Sequence, residues 1–217
     1  MCQFKSVIVL RNGDILHDDY TDSHEHLIGM YDLDDSKEPS LNRFVRVEYK
    51  PDNSDDYDDI NKYILKVDES QTPVWFEDVR NSVEDKLKTM IKRIILKDIN
   101  KKYLLSGCYI LTGKTKIDIC VNTRMFSMYK TSQVGEMRGT SQVGEMWGTS
   151  KVGVMRETSQ VDEMWGTSQV GVMWETSQVG VMRGTSQVGE MWETSQVGVM
   201  WGTSKKVIGK DYRVKVS

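Results

Sequence analysis

The side chains best suited to chemistry near the start of the chain are one cysteine and three histidines. Removal of Met1 would leave Cys2 as an N-terminal thiol nucleophile. His17, His24 and His26, with Asp22 among them, have the ligand types of a metal or acid–base cluster. Each has a plainer reading. A single Cys at the start of a strand is more often a small buried residue. His24 and His26 are two apart, which suits one face of a strand rather than a helix, and no Cys lies near enough to complete a zinc set. The plainer reading is preferred: the histidines are solvated or capping residues, and neither a metal nor a cofactor is expected. No phosphate-binding Gly-rich loop and no Ser-His-Asp arrangement is visible.

A second set of residues comes from repetition. From Thr131 to Gly202 the chain carries eight uninterrupted copies of a nine-residue unit, Thr-Ser-Gln-Val-Gly-Glu/Val-Met-Trp/Arg-Gly/Glu. Its eighth position supplies Arg138, Trp147, Arg156, Trp165, Trp174, Arg183, Trp192 and Trp201. A site where Arg replaces Trp freely is not a sealed core, so these residues form the candidate binding surface. Their plainer reading is that columns of aromatic and cationic groups merely stiffen the structure.

Positioning them requires a stacked architecture, because a unit this short cannot bury an apolar face alone. Thr, Ser, Val and Met never vary at the first, second, fourth and seventh positions, so each site meets the same surroundings in every copy. Ser, Val and Met are expected inside, with Thr and Gln outside. Position five is Gly in every copy but one, where it is Asp162, and is expected to be a bend needing positive φ. Position nine alternates: even copies always carry Gly, whereas Glu157, Glu175 and Glu193 occupy three of the four odd ones. That doubles the period and predicts a parallel β-solenoid with two nonamers per coil, its rungs about 4.8 Å apart. Four coils follow, or about five with the worn unit Asn122–Lys130, whose Met125, Met128 and Tyr129 fill the Val, Met and Trp positions. A helix is the poorer alternative, given Gly or Asp in every copy.

The preceding region reads as α+β. Asn12-Gly13 between apolar runs predicts a hairpin. Asp22 or Ser23 caps a short helix with Leu27, Ile28 and Tyr31 inward. Strands are expected over Leu41–Tyr49 and Tyr63–Val67. Thr72-Pro73 starts a long helix whose inner face carries Val79, Val83, Leu87, Met90, Ile91, Ile94 and Ile95. The expected division is an α+β domain over 1–103, a capping rung and worn repeat over 104–130, the solenoid over 131–202 and a C-terminal cap over 203–217.

Charge is uneven, at −9 over 1–70, +6 over 71–130, −4 over the eight repeats and +4 over 203–217, for a whole-chain total of −3. No segment is basic enough to make nucleic acid the expected partner. The scattered Cys2, Cys108 and Cys120 argue for a reducing compartment. No secretory signal and no apolar run long enough for a membrane span is seen, so the expectation is a cytoplasmic protein with no membrane partner.

The opening Cys2-Gln3-Phe4-Lys5-Ser6-Val7-Ile8-Val9-Leu10, the Asp22-Ser23-His24 that follows and Phe44-Val45-Arg46-Val47-Glu48 resemble a family of uncharacterised bacteriophage and prophage proteins. Members often carry a Ser-Gln-Val-Gly-x-Met tail, and the resemblance covers most of the chain while implying no activity. Coils of two nonamers are also similar to calcium-binding toxin-type repeats, but the Gly-Gly-x-Gly-x-Asp ligand pattern is missing and only Asp162 stands in the units.

The expected function is a non-enzymatic binding or assembly module that meets a protein partner, or a second copy, through the solenoid. The rival is an enzyme with its site at Cys2 or His24/His26 and the solenoid as an oligomerising handle. Two further alternatives are an ice-binding face, suggested by ranks of Thr and Gln but lacking Thr-x-Thr pairs, and a nucleic-acid mimic, suggested by Glu columns but diluted by three Arg.

Overall fold

The computed structural model describes residues 6–18, 21, 23–34, 43–53 and 56–207. The chain divides into two compact units, Met1–Arg93 and Ile94–Ser217.

The first unit has a four-stranded antiparallel sheet in the order β2-β1-β3-β4, from β1 (Ser6–Leu10), β2 (Ile15–Leu16), β3 (Phe44–Pro51) and β4 (Tyr63–Val67). The hairpin turns as expected, with Gly13 at φ 80° and the Leu10 N–H donating to the Asp14 carbonyl at 2.9 Å. Helix α1 (His24–Met30) is capped by Ser23, whose Oγ accepts the His26 N–H at 3.2 Å. Asp22 lies outside the described residues. Leu27 and Ile28 pack with Ile8 and Phe44. Tyr31 instead sits at the exposed C-cap and donates its hydroxyl to the His17 carbonyl at 2.9 Å. Helix α2 (Val74–Ile94) buries Phe76, Val83, Leu87 and Ile91, the last three a stripe at four-residue spacing.

The second unit is a parallel β-solenoid of about six turns at roughly 18 residues per turn. The chain enters it directly after α2, through β5 (Ile95–Lys97) and β6 (Asn100–Leu104), so Ile95 is a strand residue and the coils begin upstream of residue 104. One seven-stranded sheet joins β6, β8 (Lys116–Val121), β10 (Gln133–Arg138), β12 (Lys151–Met155), β14 (Gln169–Met173), β16 (Gln187–Met191) and β18 (Lys205–Lys206). The other joins β5, β7 (Cys108–Thr112), β9 (Arg124–Met128), β11 (Gln142–Met146), β13 (Gln160–Met164), β15 (Gln178–Met182) and β17 (Gln196–Met200). The worn repeat falls into place, Met125 opposite Val143 and Met128 opposite Met146.

Each interior assignment holds. Ser, Val and Met of the repeats are buried, Met200 in the last copy only partly, and the Val and Met side chains form one continuous core with Leu96, Leu104, Leu111 and Ile117. The bend is elsewhere than expected. Position nine, not five, has positive φ, whether Gly (Gly139, 64°; Gly148, 67°) or Glu (Glu157, 58°; Glu175, 60°; Glu193, 57°). It opens a tight turn in which, for example, the Ser150 N–H reaches the Trp147 carbonyl at 3.3 Å. Position five is Gly for a different reason: a Cβ on Gly153 would stand 2.4 Å from the carbonyl oxygen of Gly135 in the coil before.

Candidate functional site

The invariant Thr has a task that its outward placement did not suggest. Its hydroxyl donates to the position-nine carbonyl of the preceding coil, as in Thr158 to Gly139 at 3.1 Å and Thr176 to Glu157 at 2.9 Å. The same carbonyl takes the backbone N–H of that Thr, 3.2 Å for Thr176. Two of the buried Ser hydroxyls bond locally, Ser141 Oγ donating to Arg138 O at 2.7 Å and Ser177 Oγ to Trp174 O at 2.8 Å, and Ser141 Oγ also accepts the Thr123 N–H of the preceding coil at 3.3 Å.

The expected surface residues stand in two columns. In one, Trp147 and Trp165 stack at 4.8 Å between ring centroids and 2° between planes, with the Arg183 guanidinium 4.6 Å over Trp165. In the other, Trp174 and Trp192 stack at 5.3 Å and 11°, with Arg156 5.9 Å from Trp174. Stacking occupies the ring faces, which leaves mainly edges to solvent. All four of these Trp are half-buried.

Position six completes the arrangement, a pairing that reading each position by itself does not reveal. Glu145 and Glu190 accept the indole N–H of Trp147 and Trp192, two residues on and just past the end of the strand, at 2.8 and 3.0 Å. Arg156 and Arg183 follow Val at position six, so each reaches back one coil: Arg156 Nε donates to Glu136 at 2.6 Å, and Arg183 Nε lies 3.6 Å from Glu163. Glu136 also accepts from Arg138 at 2.6 Å. The bond from Arg138, and then that from Arg156, holds the Glu136 carboxyl below the ordinary glutamate range. Matching position eight against position six one coil earlier is the signal that could have revealed this.

The terminal coil differs. Trp201 is 59% exposed and Val199 48%, and Met200 is only half-buried where the other repeat Met residues are sealed.

The amino-terminal candidates separate. Cys2 lies outside the described residues. His24 is neither solvated nor a cap: it is fully buried, its Nε2 3.2 Å from the Val47 carbonyl and its Nδ1 3.3 Å from Asp68. It joins α1 to the sheet. His26 is exposed, so the pair does not share a face. His17 lines an open groove of about 790 Å³ with Ile15, Ser82, Asp85, Lys86, Thr89 and Met90, where Lys86 Nζ donates to Gly13 O at 2.8 Å. Among the described residues no three His, Cys, Asp or Glu side chains are grouped to hold a metal. Cys108 and Cys120 are buried in the solenoid, and burial pushes the Cys120 thiol up to about 12, far from thiolate chemistry at neutral pH. Among the described residues no helix is long and apolar enough to cross a membrane.

No family model matches the chain, and comparison with curated proteins and with solved structures found no match.

Proposed function

We propose that the chain is a non-enzymatic binding and assembly module, phage-encoded as its opening motifs suggest, whose solenoid presents the recognising surface. One observation carries this reading. Every invariant position of the nonamer is used by the fold itself, while the variable positions six and eight, together with the exposed Gln column, face outward. A fold that needed only to stand would not require two outward positions to alternate between charged and apolar residues. Thr hydroxyls that donate to neighbouring coils are not free to order water, which takes support from the ice-binding alternative.

The test keeps substitutions within what the repeat already accepts. The chain carrying Glu190→Val and Trp192→Arg should keep its circular dichroism and lose capture of its partner, or of itself. Unchanged capture would sink the proposal. The enzyme reading is addressed by Cys2→Ala and His26→Ala, since His24→Ala would unpick the core; loss of biological activity with capture intact would favour it.

A further inference from the structure

The last complete strand, β17, has a sequence identical to strands β14 and β15, Gln-Val-Gly-Val-Met. Inside the ladder that sequence accepts a copy of itself along one edge, β15 and β17 pairing parallel and in register, so its backbone and side chains are compatible with a like neighbour. Among the described residues no strand lies along the outer edge of β17. The edge carries no charge; Val199 within it is exposed, and so is Trp201 just beyond it. Strand β18, which follows it in the other sheet, has two lysines instead, and Lys206 stands opposite Val188, the place of an interior Val. The first coil is guarded in the same manner by Lys97, Lys101 and Lys102. Lysine on an edge, or turned inward at a core position, is the usual defence against further pairing. Of the four terminal strands of the solenoid, β17 alone lacks it.

We infer that β17 is a dimerisation edge and that its occupant is a second copy of this chain. This rests on the reading of the solenoid as a binding module. The two β17 strands run antiparallel about a two-fold axis near Gly198, so that each Val199 and Trp201 is covered across the junction. The lysines of β18 repel their mates and leave the second sheet unjoined, which closes the assembly at two copies rather than a fibre.

Two substitutions test this without disturbing the coil. Position six is already Glu at Glu136, Glu145, Glu163 and Glu190, so Val199→Glu is compatible with the fold; position eight is already Arg at Arg138, Arg156 and Arg183, so Trp201→Arg is too. Light scattering on the full chain should show a dimer that dissociates on dilution. Either substitution should weaken association at least about tenfold, Val199→Glu by placing two carboxylates close to the axis and Trp201→Arg by removing the indole that the junction covers. Gly166→Glu, a carboxylate added at a turn position that holds Glu in three other copies, should leave it unaltered. A monomer at every concentration, a dimer indifferent to Val199→Glu, or a dimer seen only after removal of residues 208–217 would overturn the inference. If the full chain is monomeric but its outward columns still capture another macromolecule, the pairing falls and the binding module stands.

Discussion

At the scale of single residues, the clearest tension is in the turn. Glu157, Glu175 and Glu193 hold left-handed backbone that costs a residue with a Cβ about 1 kcal/mol relative to Gly. Glu193→Gly should therefore raise the unfolding free energy by about 1 kcal/mol in a urea titration, and Gly184→Ala, at φ 69°, should lower it by about 1–2 kcal/mol. Glu136 provides a pH test. Its folded pKa lies below the 4.5 of an unperturbed glutamate, so its contribution is complete above about pH 5 and fades as pH falls through the folded value. The difference in Tm between the wild type and Glu136→Gln should thus be constant near neutrality and shrink in acid. An unchanged difference down to pH 3 would contradict the clamp by Arg138 and Arg156. Ser, Val and Met were legible as interior residues because invariance and spacing both report burial. Glycine was harder to read, since a need for positive φ and a need for close approach both select it. Only the coordinates show that position nine meets the first need and position five the second.

At the scale of elements, the Thr ladder does for the turns what backbone pairing does for the strands. Removing one hydroxyl leaves a carbonyl with one donor instead of two: Thr167→Val should cost about 1 kcal/mol, and Thr167→Ser should restore most of it, as read by thermal unfolding. The strands Gln133 onward, the hairpin at Gly13 and the helix over Val74–Ile94 follow from periodicity alone. The first coils do not. There the register step is shorter, Ile95 standing opposite Ile110 and Asn100 opposite Lys116, and Asn-Lys-Lys-Tyr-Leu has no alternating pattern to betray a strand. The candidate surface was legible as a set of residues but not as a network, because the partner of Arg156 is Glu136, twenty residues away and in a different repeat.

At the scale of the whole molecule, lysines mark three of the solenoid's four terminal strands. Lys205→Gln with Lys206→Val would extend the nonamer sequence into β18 and strip the second sheet of its guard. Species larger than a dimer should then grow with concentration in light scattering, whereas an unchanged mass would show that the lysines do not limit assembly. The pairing pattern also has a mechanical side. Past the first turns each strand bonds only the strands one coil before and one coil after it, so no bond spans the length of the solenoid. Drawn out by its C-terminal end, it has no reason to yield all at once. It should unspool as a chain of equal steps, each releasing roughly 55 Å, the extended length of one 18-residue coil less the rung it occupied.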